Sequence, residues 1–358
     1  MLKRLRYNLQ QRYSSKLCGI TVKEANHPTY TGMDISTKEI ECTTIGEDGN
    51  VVRKDKFANR FDELEKYLGN FSGEDSFVME STGFYEPLYD FIESKGFIVK
   101  LANPLKIKLI AESRMKNDDV DSEILAKLLM NNWIPESYVP NKETRELRRI
   151  VRTRIEIKES MTSYKNRIKF ETMRMHADYD GDPFTLEGRV FLRNLKSPRI
   201  DSYLNVLNGL TEEVKNIDKG LKKYEDIQEV KLLQTIPGIG LFSALLIYSE
   251  IGTIDRFPDS SKLLSYAGMI PSVRQSSDVI QYGHITHQGS KYLRWILSEC
   301  LHVHMRFDPS SSVAKFYRRV SKGKKKKGKA LVASANKLLK IIYWVLREKR
   351  PYRSSSTE

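Results

Sequence analysis

Two aspartates at Asp118 and Asp121, in the stretch RMKNDDVDSEILAKLL from Arg114, are the residues whose spacing most directly suggests chemistry. If a helix begins near Asn117, positions i and i+3 share one face, and Ile124, Leu125, Leu128 and Leu129 form the apolar side that packs it on a core. A second reading stays open: Asn and Asp cap helix starts, and acids in a first turn favour the macrodipole. Two more acids stand at expected strand ends, Asp34 after YTGM and Glu80 after SFVM. That is where an α/β sheet places ligands, although either alone would suit a solvated turn. Together the four oxygen donors suit Mg2+ or Mn2+, and two such ions could stabilise both oxygens of a phosphodiester displacement.

The elements that must position these acids can be read from the pattern. Tyr30 to Ser36, Glu39 to Ile45 and Val51 to Phe57 read as strands, with Glu47-Asp48-Gly49-Asn50 as a hairpin turn. Arg60 to Leu68 and Pro87 to Lys95 read as helices, and Ser76 to Glu80 and Gly96 to Leu101 as strands. Antiparallel strands followed by strands alternating with helices predict an α/β domain with a mixed sheet over residues 30–140, after a basic N-terminal extension, residues 1–29.

From Thr144 to Met175 the chain reads as one long helix, and the segment Lys142–Arg174 holds eleven Lys and Arg against five Glu. Such a face is either solvated or a nucleic-acid surface. After Pro198, Leu207, Leu210, Val214, Ile217, Leu221 and Tyr224 alternate three and four apart, a coiled-coil seam. A contact between two copies is expected there, with an intramolecular helical hairpin as the competitor. This basic helical and coiled-coil region spans residues 141–230.

Residues 231–350 form a mostly α C-terminal domain. Ile236-Pro237-Gly238-Ile239-Gly240 between two helices suggests a helix-hairpin-helix, with Gly238 and Gly240 letting backbone amides approach a phosphate. Ser272 to Arg294 reads as a polar loop with a helix starting near Ser290. Lys324, Lys325, Lys326 and Lys327, within SKGKKKKGK, read as a phosphate-contacting arm before an amphipathic helix from Ala330 to Arg347.

The net charge of +14 over 358 residues makes a polyanion the first partner to consider. Three scattered cysteines without a CxxC pair argue against zinc and disulfides and predict a reducing, cytoplasmic compartment. No apolar run reaches the roughly 18 to 20 residues a membrane span needs.

The segments GMDIS at Asp34, MESTGFYEPLYDFI from Met79, KLANPLKIK from Lys100 and KNDDVDSEILAKLL from Lys116 resemble the catalytic domain of the DEDD insertion-sequence transposases, the bridge-RNA-guided recombinases. QTIPGIGLFSALLIYSEIG, RFPDSSKLLSYAGMIPSVRQSS, GHITHQGSKYLRWIL and KGKALVASANKLLKIIYWVL resemble the same family's second domain. The resemblance implies an RNase H-like (RuvC-like) fold, Mg2+ or Mn2+ on Asp34, Glu80, Asp118 and Asp121, and a serine nucleophile giving a 5′-phosphoserine intermediate in DNA strand exchange. The matching serine is Ser276, with Ser277 as competitor. Arg294 matches a position whose charge could hold the scissile phosphate.

The resemblance also implies a structured noncoding guide RNA beside the DNA, and a composite site in a homo-oligomer, dimer or tetramer, associated with the nucleoid. Departures are Asp278 for the usual glycine, His287 for Lys and Ser290 for Asn. Two other readings compete. One is a Holliday-junction-type endonuclease that uses the acids and water, and the other a nonenzymatic nucleic-acid-binding module.

Overall fold

The computed structural model describes residues 28–112, 122–276, 279–325 and 327–354. The chain divides between Val139 and Pro140 into two compact units. The first is built on a five-stranded sheet. β1 (Tyr30–Ile35), β2 (Glu39–Ile45) and β3 (Val51–Ala58) form an antiparallel meander, and β4 (Ser76–Glu80) and β5 (Ile98–Ala102) add in parallel on the other side of β1. The order is β3-β2-β1-β4-β5. Helices α1 (Phe61–Leu68) and α2 (Tyr85–Ser94) precede β4 and β5, and α3 (Pro104–Glu112) and α4 (Ser122–Met130) follow. The meander forms because turns join its strands directly, whereas each parallel strand needs a helical crossover.

Side chains alternate across the sheet, and the two cores show it. Met33, Ile35, Phe77 and Met79 pack with Leu64, Leu68, Leu88 and Ile92 of α1 and α2. Val78, from the opposite face, packs with Ile124, Leu125, Leu128 and Leu129 of α4. Each such fully buried aliphatic chain contributes about 1.5 to 3 kcal/mol. The expected strands and helices of this unit agree with the structure to within a few residues. The helix start near Asn117, with Asp118 and Asp121, lies outside the described residues.

The second unit is helical apart from one hairpin, among the described residues. Its helices are α5 (Lys142–Arg174), α6 (Leu186–Asn194), α7 (Pro198–Leu221), α8 (Gln228–Gln234), α9 (Leu241–Ile251), α10 (Ser260–Tyr266), α11 (Lys291–Phe307), α12 (Ser312–Ser321) and α13 (Gly328–Glu348). Between α10 and α11, β6 (Pro271–Ser276) and β7 (Val279–Ile285) pair antiparallel. The polar loop expected from Ser272 is therefore a β-hairpin over its first half.

The apolar seam on α7 also departs from expectation. Leu221 clusters with Leu147, Val151 and Ile155 near the start of α5, and Leu204 and Leu207 cluster with Ile168 towards its end. The two helices thus run antiparallel, and the seam is filled from within the chain rather than by a second copy. A heptad reports an apolar stripe without naming what covers it. We expect Leu207→Ala to cost about 2 to 5 kcal/mol through the cavity it leaves. The lowered melting temperature should not depend on protein concentration, as it would for a seam between copies.

The basic face of α5 is partly internal as well. Arg148 donates from Nε and Nη2 to the Ser249 carbonyl at 2.8 and 2.6 Å. Arg152 grips Glu250, a carboxylate only 1% exposed, and Arg154 grips Asp218, each through two nitrogens. These three arginines fasten α5 to α9 and α7. A buried carboxylate such as Glu250 needs its partner, since leaving it alone costs several kcal/mol.

Candidate acid site and serine hairpin

In the parallel pairing of β1 and β4, Met33 lies opposite Met79, so the next residues along, Asp34 and Glu80, leave the sheet side by side. Both belong to the face that α4 covers, because Gly32 and Val78, two residues earlier on each strand, touch or cluster with α4. Asp34 is exposed and Glu80 half-buried. Burial pushes the Glu80 carboxyl above its ordinary range, and the neighbouring Asp34 carboxylate pushes it the same way. The two acids therefore share one electrostatic environment. They stand where β1 has an antiparallel neighbour on one side and a parallel neighbour on the other, at the carboxyl ends of the parallel strands.

Gly32 explains how α4 is placed. A Cβ there would lie 1.9 Å from the Ser122 carbonyl oxygen and 2.6 Å from the Ala126 nitrogen, so helix backbone rests directly on strand backbone. Ser122 Oγ also shares a 2.7 Å hydrogen bond with Thr43 Oγ1 of β2. At its other end, α4 brings Met130 within 3.6 Å of where a Gly49 Cβ would stand, in the β2–β3 turn. The helix runs opposite to β1, with its N-terminus directed towards the end of the sheet that bears Asp34 and Glu80. Asp121 is the residue covalently before Ser122. Sequence reasoning missed Gly32. Its only signal is its position two residues before the acid on a strand.

Among the described residues no group of three or more His, Cys, Asp or Glu side chains is placed to hold a metal ion. The donor set nonetheless fits a hard cation: two carboxylates, one already disfavoured in its charged form by the other, are what a divalent ion relieves.

In the second unit, Ser276 is the last residue of β6 and pairs with Val279 across a two-residue connection, so it lies at the hairpin tip. Ser277 and Asp278 lie outside the described residues. Ser290 caps α11, its Oγ accepting from the Leu293 amide at 3.1 Å. An Asn could make the same cap, so that departure leaves the helix start intact. His287 is exposed, at a φ of 55°.

Arg294 is anchored through one of its three guanidinium nitrogens. Its Nη1 donates to the carbonyls of Ala267 and Gly289, each at 3.0 Å.

Gly238 and Gly240 separate in role. Gly238 has a φ of 94°, and a Cβ on it would meet the His304 nitrogen of α11 at 2.6 Å, so it serves close packing within the unit. Buried His304 holds the same turn, its Nδ1 lying 2.8 Å from the Pro237 carbonyl oxygen. Gly240 is exposed and precedes α9 as its N-cap, with open space where a Cβ would stand. Lys324, Lys325 and Lys327 are exposed in the short turn between α12 and α13, so the basic segment is a connector rather than a free arm. Lys326 lies outside the described residues.

A DEDD transposase family model of the IS110 type matches residues 31–170, and a model of the transposase IS116/IS110/IS902 family matches residues 230–318. The chain belongs to the IS110 family of transposases. The DEDD match takes in the sheet of the first unit and runs on through most of α5, and the mixed sheet is RNase H-like in keeping with it. Relatives agree along the length. The transposase for insertion sequence element IS1111A of Coxiella burnetii is 23% identical over 287 residues, 77% of this chain and 79% of that protein. A pilin gene-inverting protein of Moraxella bovis is 26% identical over 339 residues, 90% of this chain and 97% of that one. A putative transposase of Sinorhizobium fredii, y4qE, is 25% identical over 64% of this chain, and the match spans 58% of that relative's length. No helix among the described residues is long and apolar enough to cross a membrane.

Proposed function

We propose that this IS110-family transposase exchanges DNA strands through a covalent serine intermediate, with Asp34, Glu80, Asp118 and Asp121 as metal-holding acids and Ser276 as nucleophile. The observation that carries the reading is that Asp34 and Glu80 each follow the last paired residues of adjacent parallel strands, Met33 and Met79, on the face that α4 covers. Mg2+ or Mn2+ bound there would polarise the phosphate and lower the cost of deprotonating the attacking hydroxyl. The residues of the chain do the rest. Ser276 Oγ forms a bond to phosphorus as the bond from phosphorus to the 3′-oxygen breaks; the serine loses its proton and the departing 3′-oxygen gains one. A 3′-hydroxyl of another strand then attacks the phosphoserine and releases the serine, so the phosphodiester is rebuilt without ATP.

Nucleic acid would be held along its backbone. The amides after exposed Gly240 and the side chains of Lys324, Lys325, Lys326 and Lys327 suit phosphates. A chain that reads backbone leaves sequence choice to base pairing, which favours a structured guide RNA as partner, with dimers or tetramers as the working assembly.

Ser276→Ala tests the chemistry. With a DNA substrate carrying the element ends, denaturing gels should show the protein–DNA adduct in the unaltered protein and neither adduct nor joined product in the variant. Cleavage by Ser276→Ala at an undiminished rate would instead establish the junction-nuclease reading, with water as nucleophile.

A further inference from the structure

We infer that Arg294 and Asn336 are positioning residues that fix the β6–β7 hairpin and thereby set Ser276 for attack, an inference resting on the reading of Ser276 as nucleophile. A two-stranded hairpin is marginal on its own in water, so something outside it must hold its direction. The structure supplies that at the roots. The segment entering β6 and the segment leaving β7 lie backbone on backbone: the Thr286 amide donates to the Ile270 carbonyl at 3.0 Å and the His287 amide to Gly268 at 3.2 Å. A Cβ on Gly289, whose φ is 146°, would stand 2.1 Å from the Tyr266 carbonyl oxygen. No side chain fits between the two roots there.

Two side chains from different helices then lock this contact. Arg294, in the first turn of α11, uses a single nitrogen for both roots, because Ala267 precedes β6 and Gly289 follows β7. Asn336, on α13, donates from Nδ2 to the Met269 carbonyl at 3.0 Å, two residues before β6 begins. Its Oδ1 is buried with no hydrogen-bond partner. Burying an amide oxygen unpaired is unfavourable, and the bond to Met269 is what offsets it. The arginine in the phosphate-binding position of the resemblance thus has its Nη1 engaged by two carbonyls, which require a donor of fixed reach rather than a charge.

The test uses the full-length protein and two readouts, hydrogen exchange of backbone amides and single-turnover adduct formation. Arg294→Lys keeps the charge, but its ammonium ends about one bond short of the Nη1 position. In Arg294→Lys and in Asn336→Ala, amides of β6 and β7 should exchange about tenfold faster, roughly what the loss of one hydrogen bond at a local opening gives. Amides of α9 should keep their rates, and adduct formation should slow at least as much while DNA affinity and its salt dependence stay unchanged. Unchanged hairpin exchange in both variants would overturn the inference. So would Arg294→Lys with full activity beside Arg294→Gln with weakened DNA binding, since that pattern marks a phosphate contact. If Ser276→Ala remained active, the nucleophile reading would fail on its own, and the exchange data would still report whether the brace holds the hairpin.

Discussion

Asp34→Asn is expected to abolish strand transfer while leaving the protein as stable as before, or slightly more so, in the absence of divalent metal. The reason is the shared environment of Asp34 and Glu80. The folded chain holds the Glu80 carboxyl above its ordinary range, so ionising it costs more folded than unfolded. The sign follows from linkage: the group's contribution is fully present below the ordinary carboxylate range and is lost as pH rises through the raised value. Removing the Asp34 charge removes part of that loss. Because Asp34 is exposed, solvent screening keeps the gain to about 1 kcal/mol or less, a rise of a few degrees at most.

Glu80→Gln should behave in the same way. Melting curves in chelator at neutral pH and near pH 4 would check this, since the advantage of either variant should vanish in acid. Added Mg2+ should raise the melting temperature of the unaltered protein and leave the variants nearly unmoved. Activity should fall about a thousandfold or more, the several kcal/mol that charge stabilisation by a metal supplies. A large drop in metal-free melting temperature for either variant would instead make the acids structural caps.

Gly32→Ala should do the reverse, damaging the fold first. One methyl group would stand 1.9 Å from the Ser122 carbonyl oxygen, and neither partner is a flexible side chain that can swing aside. The strand and helix backbones must separate, which strains the Thr43–Ser122 hydrogen bond and loosens Leu125 and Leu129 in the core beneath. Overpacking of this kind typically costs about 1 to 3 kcal/mol, and backbone-on-backbone contact places it at or above the upper end. Urea unfolding of Gly32→Ala should show an earlier midpoint, with acid-site activity lost together with α4 docking. A variant as stable and active as the unaltered protein would show that α4 does not rest on Gly32.

These two residues mark what the sequence makes legible. Asp34 and Glu80 could be found because each ends an apolar strand, and strands show themselves by alternation and turn residues. Gly32 could not, because its importance is the absence of a side chain opposite a helix ninety positions later in the chain. The β6–β7 hairpin was hidden because Arg274, Gln275 and Ser276 give β6 little apolar alternation, so the stretch from Ser272 to the helix start near Ser290 reads as loop. The α7 seam was visible as a stripe, while its partner α5 was masked by charge. Arg148, Arg152 and Arg154 look like a solvated basic face until tertiary structure shows Ser249, Glu250 and Asp218 receiving them. Arg294 carries the same lesson: its charge is legible in the sequence, while the Ala267 and Gly289 carbonyls that its Nη1 bridges are not.

The seating of α4 on β1 and β2 also sets an order of assembly. The Thr43–Ser122 hydrogen bond joins residues 79 apart in sequence, whereas the β1–β2–β3 meander closes through short turns. Closing a loop of that length costs about 4 kcal/mol beyond a constant term, charged before any contact of α4 is made. The meander is therefore expected to form first and the helix to dock among the last contacts, as those of high sequence separation do. Asp34 lies in that early meander, Glu80 joins it with β4, and α4 then seats on the face both acids belong to. A ribosome-bound chain lacking α4 would hold Asp34 and Glu80 on a sheet face not yet covered by that helix.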